Sequence, residues 1–169
     1  MGFRNCFEYI VVITVLAFFI GRILPKRWFH AEMFPYACYA FENNGKIYDR
    51  LHIRKWMNHV PDMSRLFKKW MPAKKMDANY RDNLPLLIQE TCIAEFIHTA
   101  EGIAGFYCVT LWPGIGGFVM GLLFMLGNLP FIFIQRYDRP KMLKVMKRYC
   151  TGTEERESEG IYAHIDTEL

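Results

Sequence analysis

"GIAGFYCVTLWPGIGGFVMGLLFMLGNLPFIFIQ", residues 102–135, decides the fold: it contains no charged side chain, and Pro113-Gly114 interrupts it. Pro-Gly is a turn signal, so the spacing predicts two apolar arms, residues 88–111 and 115–134. Each arm has about the 20 residues needed to cross roughly 30 Å of hydrocarbon. Gly117 and Gly121 would let the arms approach closely. An earlier apolar segment, "YIVVITVLAFFIGRIL" at 9–24, reads as a further span. Arg4 before it resembles the start of a signal peptide. No small-x-small cleavage site follows, however, and Pro25-Lys26-Arg27-Trp28 reads as an interfacial anchor, which favours a retained helix. The expected fold is an all-α membrane protein of about three transmembrane helices. It ends in a helical hairpin, and interfacial amphipathic helices lie between spans 1 and 2.

Around these segments the 169 residues are unevenly composed. Hydrophobic residues make up 52% of the chain but concentrate at 9–24 and 86–134, while 42–82 and the tail are polar. This divides the chain into an N-terminal span (1–24), a basic interfacial or cytoplasmic region (25–85) and the hairpin (86–135). A basic juxtamembrane segment (136–150) and an acidic, mobile tail (151–169) follow. Net charge is +4, and Lys and Arg outnumber acids between Lys26 and Arg81. Membrane phosphate is a simpler partner for that surplus than nucleic acid, which is not expected to bind. A hairpin returns both of its basic flanks to one side, which the positive-inside tendency makes cytoplasmic, with the N-terminus outside. "GKIYDRLHIRKWMNHV" (45–60) and "SRLFKKWM" (64–71) mix Trp and basic residues, as helices in the headgroup layer do; a small soluble cap is the alternative. Cys6, Cys38, Cys92, Cys108 and Cys150 form no CxxC pair and imply neither a disulfide framework nor a zinc site.

The functional signal lies just before the uncharged stretch, in "ETCIAEFIHTAEG" (90–102). At about 100° per residue, Glu95, His98 and Glu101 fall at about 140°, 80° and 20° from Glu90, a single polar stripe. Ionisable groups within a membrane are costly and face a protein interior or a wet cavity. His98 lies fifteen residues before Pro113 and Asn128 fifteen after it, so a turn at 113–114 sets both at nearly one depth. Pro130, two residues beyond Asn128, would free the carbonyl of Leu126 and break the helix there.

A histidine with a carboxylate three residues away is a usual general-base pair. Glu95 would orient His98 and steady its imidazolium, and Asn128 or Arg136 would stabilise an oxyanion. A hydroxyl activated in this way could attack a thioester. GxSxG is absent, which favours direct transfer over a serine acyl-enzyme. The same stripe is open to structural polar packing and to ion or proton transport. Glu95-x-x-His98 occurs once, whereas carboxylate di-iron bundles need the motif twice, so no metal is expected. "PGIGGF" has no following Lys and is not a phosphate loop. Arg54, Lys55, Arg136, Arg139 and Lys141 could hold phosphate or simply meet headgroups.

"GKIYDRLHIRKW", "ETCIAEFIH" and "NLPFIFIQRYDRP" resemble the glycosyl-4,4'-diaponeurosporenoate acyltransferase family over residues 41–60 and 90–148. The most specific motif is N-x-P-x(4)-Q-R-Y-x-R-P, from Asn128 to Pro140. The resemblance implies transfer of a fatty acyl group to a sugar hydroxyl of a membrane glycolipid or glycosylated isoprenoid, in a bacterial cell membrane. It carries over Glu95, His98, Asn128, Gln135, Arg136 and Arg139. The expected site therefore has His98, Glu95 and Asn128 as catalytic residues. Glu90, Glu101, Arg54, Lys55, Gln135, Arg136 and Arg139 would bind substrate. No cofactor is expected, the donor being a thioester of coenzyme A or acyl carrier protein. Partners are the bilayer, the lipidic acceptor and that donor. Three spans enclose little space for two lipidic substrates, so a homodimer is plausible. The rival readings are a small membrane methyltransferase or reductase with a soluble cofactor, and a non-catalytic subunit of a lipid-synthesis complex.

Overall fold

The computed structural model describes the backbone of residues 1–60 and 80–165, and the side-chain surroundings of residues 1–60 and 83–149. Every regular element among the described residues is helical. A long helix α1 (Gly2–Ile23) opens the chain. Two one-turn helices, α2 (Ile47–Arg50) and α3 (Ile53–Trp56), follow in the intervening segment. Then come α4 (Tyr80–Ala104), the short α5 (Cys108–Leu111) and α6 (Ile115–Ile165).

Helices α4 and α6 form an antiparallel hairpin and pack on each other more extensively than any other pair. The turn falls at Pro113-Gly114, where Gly114 has φ +101°, a conformation that favours glycine. Close approach of the arms depends on Gly121. A Cβ added there would lie 3.0 Å from both the Gly105 carbonyl oxygen and the Phe106 Cα. The first arm is less regular than expected, since a 3₁₀ turn at Gly105–Tyr107 separates α4 from α5. The second is longer than expected. It runs through Pro130 and Pro140 without ending and continues to Ile165, over the segment read as an acidic tail. Proline removes one backbone donor, and α6 absorbs that loss within a long helix packed against α4.

Helix α1 leans on the hairpin near its turn: the Tyr9 hydroxyl donates to the Ala104 carbonyl at 3.0 Å, and the Cys6 thiol faces the Cys108 carbonyl at 3.6 Å. Of its residues only Cys6 and Ala17 are buried; Phe7, Val11, Val15, Phe19 and Ile20 are exposed. Phe118, Leu122, Leu123 and Leu126 of α6 are exposed as well. Contiguous apolar surface of this kind marks a membrane or partner contact. α1 and the Ile115–Tyr149 part of α6 are each long and apolar enough to cross a membrane, the architecture of a helical membrane protein. α4, expected to supply the remaining span, does not meet that criterion, because Glu90, Glu95 and Glu101 lower its apolarity.

The segment between the long helices is built onto them. Phe29 and Ala31 pack with Leu84, Ile88, Cys92 and Ile93 of α4. Tyr48 and Ile53 pack with Tyr137 of α6, joined by Trp56 and Phe133. In place of one amphipathic helix over 45–60, the chain breaks at His52, whose φ is +51°. The break turns Ile53 fully inward and leaves Leu51 exposed. The similar stretch at 64–71 lies outside the described residues.

Candidate active site

Two arginines of α6, one helical turn apart, meet a carboxylate of α4. Glu95 accepts from Arg136 Nη1 through Oε1 and from Arg139 Nη2 through Oε2, each at 2.6 Å. Arg139 also donates to the hydroxyl and carbonyl oxygens of Thr91, at 2.9 and 3.0 Å, and to the Tyr36 carbonyl at 2.8 Å. Arg136 grips a second carboxylate, Glu42, in a two-pronged pairing through Nε and Nη2. Its remaining N–H bonds reach the Pro35 and Ala37 carbonyls, both at 3.1 Å. All five N–H donors of the guanidinium are therefore engaged. Glu42, which is 1% exposed, takes two further hydrogen bonds, from the Tyr48 hydroxyl and from the Tyr39 backbone N–H at 2.7 Å. Burial alone would raise the Glu42 carboxyl, but these donors outweigh it and hold the group lowered to about 2. Burial, then the hydrogen bond to Glu42, push the Tyr48 phenol up.

This network gives Glu95 and Arg136 positions that differ from the expected roles. Glu95 faces the arginines, so it is not the carboxylate beside His98. Arg136 has no free donor to offer an oxyanion. The neighbours of His98 are instead Glu101 and Asn128. His98 Nδ1 lies 2.9 Å from Asn128 Oδ1 and 3.3 Å from Glu101 Oε2. The Asn128 amide donates to the Phe124 carbonyl at 3.0 Å, which fixes its orientation and leaves Oδ1 facing the imidazole. An amide oxygen can only accept, so Nδ1 carries the hydrogen, and in the neutral imidazole the lone pair is on Nε2. The ring stacks on Phe131 at 4.5 Å between centroids, with planes 15° apart. Asn128 thus acts on the imidazole through Oδ1, while one N–H of its amide is committed to the Phe124 carbonyl.

The stripe on α4 therefore separates into three pairings. Glu90 accepts from Lys26 at 2.8 Å and ties the start of the intervening segment to α4. Glu95 joins the arginines, and Glu101 joins His98. Gln135 is half-buried beside Arg136, while Arg54 and Lys55 are exposed on α3. Reading the sequence missed Glu42, Tyr48, Thr91 and Phe131. Glu42 ends a one-turn 3₁₀ helix, Ala40–Glu42, too short for a periodicity to mark it. Thr91, one turn before Glu95 on the same face, was the one that the helical spacing could have found.

Beside the network a cavity of about 700 Å³ opens between the 35–51 segment and the two long helices. Glu42, Tyr48, Glu95 and Arg136 lie at its buried floor, Ile47, Thr99 and Phe133 form walls, and Phe41, Leu51 and Phe96 form the exposed rim.

Fold and site define the class: a small helical membrane protein whose polar groups concentrate between two packed helices, next to an apolar cavity. Comparison with known proteins makes the class particular. The profile of the glycosyl-4,4'-diaponeurosporenoate acyltransferase family matches residues 25–148. The chain belongs to that family and is an acyltransferase. It is 24% identical over 147 residues to the glycosyl-4,4'-diaponeurosporenoate acyltransferases of Staphylococcus aureus strains USA300, NCTC 8325 and Newman, a match covering 85% of this chain and 88% of theirs. No solved structure matches the chain. The family match reaches back to residue 25 and spans 61–88, beyond the motifs that first carried the resemblance. It leaves α1 outside.

Proposed function

We propose that the protein moves a fatty acyl group from a thioester donor to a sugar hydroxyl of a membrane glycolipid or glycosylated isoprenoid, with His98 Nε2 as the general base. The observation that carries this reading is the pinned imidazole: Nδ1 held by Asn128 at 2.9 Å, with Glu101 at 3.3 Å to steady the imidazolium. In the reaction Nε2 takes the hydroxyl proton as the oxygen attacks the thioester carbonyl carbon. The tetrahedral oxyanion then collapses, the C–S bond breaks, and the departing thiolate takes the proton back from Nε2. An ester and a free thiol result, and the imidazole is neutral again. Such base catalysis contributes roughly 10²–10⁴-fold.

Glu95, Arg136 and Arg139 hold α4 against α6 and so set the depth of His98 relative to Asn128. The proposed topology has three spans, α4 with α5 supplying the second, in a bacterial cell membrane. The charges of α4 can enter it because Glu95 and Glu101 are buried on partners from α6 or on His98. The donor is a thioester of coenzyme A or acyl carrier protein, and the exposed Arg54 and Lys55 would meet its phosphate or acidic groups. The relatives' name specifies a glycosylated carotenoid carboxylate as acceptor, and a compound of that class is the first acceptor to try. The test is a reconstituted assay: purified protein in lipid nanodiscs, radiolabelled palmitoyl-CoA and an alkyl glucoside. Label appearing in an ester of the glucoside, dependent on His98, supports the reading. Label transferred only in the presence of a different soluble cofactor, or not at all with palmitoyl-CoA or with the palmitoyl thioester of acyl carrier protein in its place, contradicts it.

A further inference from the structure

We propose that the cavity between the 35–51 segment and helices α4 and α6 holds the hydrocarbon chain of the acyl donor, an inference that rests on the acyl-transfer reading above. The argument starts from its floor. Charged side chains beneath a cavity usually mark a polar ligand, yet here they are already compensated. Arg136 directs all five N–H bonds to protein oxygens. Each oxygen of Glu42 accepts twice, Oε1 from Arg136 Nε and Tyr48, Oε2 from Arg136 Nη2 and the Tyr39 backbone. An apolar chain can therefore lie over this floor without stripping a charge of its partners, the cost that otherwise excludes such a ligand.

The walls point the same way. The surface facing the space is almost entirely apolar, supplied by Phe41, Ile47, Leu51, Phe96 and Phe133. A sugar would need acceptors and donors for each hydroxyl, whereas the guanidinium donors of the floor are all engaged and Arg50, the one further charged lining residue among the described residues, is exposed to solvent. The volume of about 700 Å³ lies within the roughly 300–1,000 Å³ of small-ligand sites. Thr99 lines the α4 wall. His98, about 100° round the helix from it, is not among the lining residues, so the thioester end would leave the cavity past Thr99 to reach the imidazole. The reactive end of the chain therefore belongs at α4 and its methyl end toward Ile47 and Leu51.

The test uses the full chain in nanodiscs with a palmitoyl thioester carrying a photoreactive diazirine near its methyl end. A second arm uses a photoreactive polyprenol, to distinguish the donor's chain from an acceptor's isoprenoid tail. Cross-linked peptides are mapped by mass spectrometry. The palmitoyl probe is expected to label residues 41–51, and Ile47→Trp to reduce that label about tenfold, equivalent to about 1.4 kcal/mol of binding. Phe96→Trp, at the exposed rim, should act likewise and guards against misfolding of the Ile47 variant. Preferential labelling by the polyprenol, or palmitoyl label confined to the lipid-facing residues of α1, overturns the assignment. Cavity labelling by palmitoyl without transfer to an alkyl glucoside would uphold the chain site and contradict the acyl-transfer reading.

Discussion

Replacing His98 by Gln keeps a side chain able to hydrogen-bond Asn128 but removes the basic nitrogen opposite that bond. Turnover should fall roughly 10²–10⁴-fold while the protein remains folded, as initial rates beside a thermal melt would show. Asn128→Leu removes the acceptor that selects the imidazole tautomer, so it should also lower turnover, and Asn128→Asp, which keeps an acceptor oxygen there, should recover part of it. Glu42 gives a pH dependence of opposite origin. Its carboxyl is lowered from 4.5 to about 2 in the folded protein, so its contribution is present above about pH 4.5 and lost as pH falls toward about 2. The difference in melting temperature between wild type and Glu42→Gln should accordingly shrink over that window and hold steady above it. At this scale the shared depth of His98 and Asn128 was legible, because equal counts from a Pro-Gly turn set it, but their hydrogen bond was not. The partner of each carboxylate was not. Rotation about α4 places Glu95 and Glu101 on one side of the helix, but only the register against α6 decides which of them meets an arginine.

Between elements, the account rests on the ladder joining Thr91 and Glu95 of α4 to Arg136 and Arg139 of α6. Arg136→Met would leave Glu42 and Glu95 buried without their shared cation, and breaking a buried pair from one side costs about 3–5 kcal/mol. A lower melting temperature in detergent, larger than that of an Arg54→Met control on the exposed face of α3, is the expected result. Gly121→Leu should separate the arms and reduce activity without touching either carboxylate. A loss confined to Leu123→Ala, at an exposed position of the same helix, would contradict that reasoning. The turn and the second arm followed from the missing charges and one Pro-Gly dipeptide. The first arm, by contrast, carries Glu90, Glu95 and Glu101 and is interrupted by the 3₁₀ turn at Gly105–Tyr107. The break at His52 did not follow from either signal, since a left-handed residue between two short helices follows from packing of Ile53 onto Tyr137 and not from local spacing.

For the whole molecule, uncharged length marked α1 and α6 as candidates to cross a membrane, while the charges that make α4 interesting also hide it from that criterion. The cavity was illegible for a related reason: its floor joins Glu42, Glu95 and Arg136, residues far apart in the chain. The central claim is that this assembly acylates a membrane lipid through His98. Mass spectrometry of the membrane lipids from cells expressing wild type or His98→Gln, at matched protein levels and in a host containing glycosylated isoprenoids, tests it most directly. A lipid heavier by one acyl group, present with wild type and absent with the variant, is the predicted result. Identical lipid profiles from the two would contradict it.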